Sequence, residues 1–260
     1  MSNTVLCIRN NFITTITINR PDVKNAVDDE TMNQIRKEVE ESYEDGSRVV
    51  ILTGNGGAFS SGADIKKALQ SKLNPEEAIS VLTDSYAPAI KAVRNCPCPV
   101  IAAIDGIAAG IGLDLALACD IRLVSDTAQL SELFIRVGLV PDGGGTYNLQ
   151  RLVGPAKAME LTFTGDSVPA DEALKLGMVN HVFSSDTFTD DVMKFASKIA
   201  MQSPTAIRKA KTAILAAQTG TLEDAMSREA KLQLEIFQSE DGFEGFRAFL
   251  EKRPPKWMSQ

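Results

Sequence analysis

In GLVPDGGGT, residues 138–146, a carboxylate at Asp142 stands between an apolar run and three consecutive glycines. Proline, aspartate and glycine in succession also make an ordinary surface turn. The reactive alternative is that the glycines let backbone come close to a ligand while a half-buried acid shuttles a proton. Two further stretches, AFSSGADI (58–65) and GIAAGIGLDLALACDI (106–121), set glycines just before helical sequence. The free N–H groups and dipole of a helix N-terminus favour negative charge. The N–H groups of Ala63 and Ile111 each sit at such a junction, and two of them aimed at one carbonyl would form an oxyanion hole.

Other chemistries fit poorly. The single histidine, His181, lies in GMVNHVF away from the glycine loops and reads as a packing or surface residue, which removes a Ser-His-Asp hydrolase. Gly106, Gly110 and Gly112 miss the GxGxxG spacing of a dinucleotide site. Cys7, Cys96, Cys98 and Cys119 offer no metal-binding spacing, and Cys96-Pro-Cys98-Pro reads as a stiff connector, so a metal is not expected. With 27 Lys and Arg against 34 Asp and Glu, the net charge of −7 argues against nucleic acid or an anionic membrane as partner. No apolar run reaches the span of a bilayer and the N-terminus lacks signal-peptide character, so a cytoplasmic location is expected.

The elements that must carry these residues follow from periodicity. Residues 4–9 and 12–19 read as strands of a hairpin turning at Asn10-Asn11. Met32, Ile35 and Val39 mark an amphipathic helix over 28–45. The apolar runs 48–54, 99–106 and 119–125 read as strands covered on both faces, each leading into a glycine loop and then helical sequence. Beyond residue 150 strand signals thin out, and helices are expected at 155–163, 169–176, 187–201, 204–218, 221–238 and 241–252. The 260 residues suffice for one large core, placed at 1–200, with a helical region at 201–260 packed on it or on a neighbouring subunit.

Taken together, NRPDVKNAV, ILTGNGGAFSSGADI, AAIDGIAAGIGLDLALACDI, IRVGLVPDGGGT, RLVG and the late AxxxGMVNHV resemble the crotonase superfamily, the enoyl-CoA hydratases and isomerases, in order along nearly the whole chain. The resemblance implies an α/β superhelix of stacked ββα units with a C-terminal helical trimerisation region, assembled as a trimer or a dimer of trimers. It implies an acyl-CoA substrate whose thioester enolate is held by the Ala63 and Ile111 N–H groups, with no cofactor beyond the coenzyme A of the substrate. The family's second donor is usually glycine; here it is Ile111.

Of the two glutamates of family hydratases, the first falls on Asp114 and the second on Phe134, which would then be an apolar pocket wall. Glu132 is not the matching position and reads as a pocket-edge or surface residue. Asp142 resembles the proton-shuttling carboxylate of the isomerase branch, including Δ3,Δ2-enoyl-CoA and epoxyphenylacetyl-CoA isomerases. Dienoyl-CoA isomerases match at Asp114 and Asp142 but carry a glutamate at the place of Phe134. The resemblance also suggests backbone contacts from Ser61 and Ala63 to the adenine of coenzyme A and Lys66 near its phosphates. Phe249 and Lys252 match a pair that reaches the coenzyme A of an adjacent subunit. Asp64 is expected to cap a helix and Asp120 to be structural. An isomerase with Asp142 as acid/base and Asp114 beside it is therefore expected, with hydration of trans-2-enoyl-CoA or a non-catalytic acyl-CoA-binding protein as alternatives.

Overall fold

The chain opens with strands β1 (Val5–Asn10) and β2 (Ile13–Ile18), antiparallel with Val5 opposite Ile18. The hairpin turn falls one residue later than expected. Asn11 and Phe12 are the two left-handed residues, at φ 48° and 65°, because this register turns Val5, Ile16 and Ile18 into the core. Phe12 tolerates the conformation under the Arg48 guanidinium, 4.0 Å above its ring.

There follow α1 (Asp29–Glu44), β3 (Val49–Gly54), α2 (Ile65–Ser71), α3 (Pro75–Val81), α4 (Ala87–Asn95), β4 (Val100–Ile104), β5 (Ile107–Ala109), α5 (Ile111–Ala118), β6 (Ile121–Ser125) and β7 (Gln129–Ser131). Next come α6 (Gly145–Val153), α7 (Pro155–Thr164), β8 (Val168–Pro169), α8 (Ala170–Lys175), β9 (His181–Phe183) and α9 (Phe188–Ala200). The chain closes with α10 (Pro204–Ala217), α11 (Leu222–Phe237) and α12 (Glu240–Glu251). This computed structural model describes residues 3–258. Among them no helix is long and apolar enough to cross a membrane.

The main sheet runs β1-β2-β3-β4-β6-β9, parallel from β2 onward, and a small sheet runs β5-β7-β8. Continuous apolar runs are required because both faces of the main sheet are covered. Ile16, Val50, Leu52, Ala102, Ile104 and Val124 face one side, against α1, α4 and α5. Ile13, Val49, Ile51, Ile101, Ala103 and Leu123 face the other, against Phe188, Val192, Ala196 and Ala200 of α9. The strands β8 and β9 lie beyond residue 150, where none was expected. Two or three residues are too few to show a period, and β9 is an edge strand ordered by pairing His181 with Leu123. His181 is itself exposed, packed against Phe183 and Phe195.

Candidate active site

The two glycine loops that end in Ala63 and Ile111 are laced together. Phe59 and Ser60 N–H donate to Ile107 O at 3.0 Å, and Ala109 N–H donates to Ser60 O at 2.9 Å. A side chain at Gly62 would begin 3.0 Å from Ala109 O, and one at Gly112 would run into Ser60. Small residues are thus what lets the two helix starts meet. Gly110, at φ 52° and ψ −130°, makes the turn that delivers Ile111 to the head of α5. Among the described residues neither the Ala63 nor the Ile111 N–H donates to a protein acceptor. An anionic oxygen between them would meet two unused donors.

The first donor is braced by charge. Val27 N–H donates to Gly62 O and Asp64 N–H to Val27 O, both at 2.8 Å, so Ala63 is clamped on either side. Asp64 caps α2 by accepting from Lys67 N–H at 2.9 Å, and Arg20 bridges Asp64 (2.7 Å) and Asp28 (3.3 Å). The second donor is braced by packing, since all eight residues of α5 are buried, Asp114 included.

Asp114 Oδ2 accepts the Gly143 N–H at 2.8 Å, and this bond ties the loop carrying Asp142 to α5 across 29 residues of chain. The glycines after Asp142 make the approach possible. A side chain at Gly143 would overlap Ile111 Cδ1 and the Asp114 side chain. One at Gly145 would begin 2.8 Å from Glu132 Oε1 and closer still to Asp114 Oδ1. Asp142 is half-buried, its Oδ1 has no partner, and burial raises its carboxyl to about 6 despite help from its own backbone N–H. Asp114 is raised as well, chiefly by burial and by the charge of Asp142, against the Gly143 hydrogen bond.

Glu132 departs from expectation. It is 2% exposed and lies against Asp114 rather than at a pocket edge or on the surface. The chain leaves β7 at Ser131 and winds into a 3-10 turn over Leu133–Val137, with Glu132 at the junction between them. The sequence signal was a lone acid amid Leu130, Leu133 and Phe134, opposite a glycine it would need. Phe134 is buried with its ring 3.8 Å from where a side chain at Gly110 would start, beside the second donor.

The residues expected at coenzyme A are less gathered. Ser61 sits beside Ala63, its hydroxyl donating to Val23 O at 3.1 Å. Lys66 is exposed on α2, while its neighbour Lys67 is tied to Asp28 and Asp29. Phe249 is 82% exposed on α12 and Lys252 ends that helix in the left-handed region at φ 53°. Their helix packs chiefly on α11. Asp120 is structural, accepting from Val100 N–H and Lys211. A cavity of about 410 Å³ lined by Leu117, Arg122, Ile207, Lys211 and Ile214 holds none of Asp114, Glu132 and Asp142.

Residues 9–260 match the family described as enoyl-CoA hydratase/isomerase. The 2,3-dehydroadipyl-CoA hydratase of Escherichia coli is 33% identical over 94% of either chain. The short-chain-enoyl-CoA hydratase of Clostridium acetobutylicum is 32% identical over 96% of either chain. The crystal structure of an enoyl-CoA hydratase from Bacillus anthracis superimposes with a TM-score of 0.94 at 31% identity, covering 99% of this chain and all of that one.

Proposed function

The chain belongs to the enoyl-CoA hydratase/isomerase family, and from that premise we propose that it is an acyl-CoA isomerase that moves a double bond by way of a thioester enolate. The observation that supports this most is Asp142. Its carboxylate is half-buried and unpartnered at Oδ1, and the Gly143–Asp114 bond anchors its loop beside the second donor, while Phe134 fills the position of the second hydratase glutamate.

The chemistry follows from these positions. Asp142 removes the C2 proton of a 3-enoyl thioester, and the electron pair moves onto the carbonyl oxygen, where the Ala63 and Ile111 N–H groups meet the charge. As the dienolate collapses, Asp142 returns the proton at C4 and the double bond settles into conjugation. A carboxyl held near 6 is ionised at neutral pH yet more basic than an ordinary aspartate, which suits both transfers. The coenzyme A of the substrate lies along Ser61, Ala63 and Lys66, with Phe249 and Lys252 reaching it from a neighbouring copy in a trimer or hexamer.

Hydration is the second reading, favoured by the names of the relatives and by Glu132, which supplies a second carboxyl beside Asp114. Incubation with 3-enoyl-CoA and, separately, trans-2-enoyl-CoA decides between them by ultraviolet absorbance and mass spectrometry. Conjugation of the first without water gain by the second supports isomerisation. Addition of water to the second assigns the chemistry to Asp114 and Glu132.

A further inference from the structure

Buried polar atoms in folded proteins nearly always have partners. Around Asp114 this rule fails at three residues together: Asp114 Oδ1, both oxygens of Glu132 and Asp142 Oδ1 are sealed from solvent without a well-aligned hydrogen bond, the Gly145 N–H only leaning toward the Asp114 carboxylate. Two of these orphans, Asp114 Oδ1 and Glu132 Oε1, crowd the same point above Gly145. The charges acting on Glu132 are those of Asp114, from α5, and Asp142, from the glycine loop, and no cation of the described residues is among them. The charge of Asp142, with those of Asp28, Asp29 and Asp64, is also felt at the buried Tyr86 phenol, which donates to Val27 O at 3.1 Å. Two ionised carboxylates pressed together in such a place repel each other in a poor dielectric.

We propose that Glu132 is a positioning residue that holds one proton in common with Asp114, so that Glu132 O–H donates to Asp114 Oδ1 while Asp114 Oδ2 accepts the Gly143 N–H and fixes the loop of Asp142. One proton satisfies an orphan on each side of the pair and leaves the pair with a single shared charge. Asp142 is then the one carboxyl in the centre free to ionise near neutral pH. Burial and the neighbouring carboxylates push both Glu132 and Asp114 up, in accord with a proton held between them, and the Gly143 N–H bonded to Asp114 favours the charge on that side.

Two measurements test this. The first needs no substrate: infrared spectra of the whole enzyme show a carboxylic-acid C=O band at neutral pH that fades as the pH becomes strongly alkaline and is missing in Glu132→Gln. Absence of the band from the wild-type enzyme overturns the proposal even if the variant does not fold. A band that Glu132→Gln leaves untouched overturns it too. The second rests on the isomerase reading. The rate should rise through about pH 6 as Asp142 ionises and fall at alkaline pH as the pair loses its proton, because the added charge opposes the enolate. Glu132→Gln keeps a donor toward Asp114 but has no proton to lose, so it should keep the acidic limb and abolish the alkaline one. Glu132→Ala should lower kcat roughly tenfold, with KM little changed, and Gln should restore it. An alkaline limb that persists in Glu132→Gln counts against the proposal. Failure of the isomerase reading leaves the infrared result standing, so the two fail separately.

Discussion

Helix α5 and the helices from Pro204 onward treat their side chains in opposite ways. Every residue of α5 is buried, a carboxylate among them, and the carboxyl cluster beside it is closed off by Gly143 and Gly145, where a side chain would collide with Asp114. In α11 nothing is buried, and α12 exposes Phe243 at 69%, Phe249 at 82% and Leu250 at 79% while burying Asp241 and Ala248. Apolar surface of that extent on one face is characteristic of an interaction site. The contrast teaches that the buried carboxyl cluster is assembled within one chain, whereas the C-terminal helices leave an apolar face open to solvent.

Changes at the centre should therefore reach chemistry, and changes in the tail should reach assembly and binding. The largest effect is expected for Asp142→Asn, which removes the proton carrier: kcat should fall about 10²–10⁴-fold, with the Kd for coenzyme A esters nearly unchanged by titration calorimetry. Turnover that survives would shift the chemistry to Asp114 or Glu132. Next is Gly145→Ala, whose methyl meets Asp114 and Glu132. Overpacking there should cost about 1–3 kcal/mol, visible as a Tm lowered by several degrees together with reduced kcat; an unchanged Tm would show that the cluster has slack. The smallest effects belong to the tail. Paired substitution of Phe243 and Phe246 by Ser should shift the sedimentation profile toward monomer while secondary structure is retained. Phe249→Ala with Lys252→Ala should raise KM a few-fold and spare kcat. A fall in kcat in either variant would erase the distinction between the two regions.

Much of this arrangement was legible in the chain because it is written locally. The N-cap at Asp64, the amphipathic helix of Met32, Ile35 and Val39, the strand runs ending in glycine, the C-terminal helices and the two loop-to-helix junctions depend on residues a few positions apart. The short strands β8 and β9 were not legible, since neighbours rather than their own sequence order them. Asp142 could be singled out by its glycines, and Ala63 and Ile111 by their junctions. What the chain did not disclose was Glu132. Its place in LSELF reads as a pocket-edge or surface acid, and only the fold sets it against Asp114, 18 residues earlier, under Gly145 and beside the loop of Asp142. Capping and periodicity are short-range and survive in the sequence as pattern. Which buried carboxyl meets which, and whether a cation stands nearby, is fixed by long-range packing, and the protonation of the site follows from that packing.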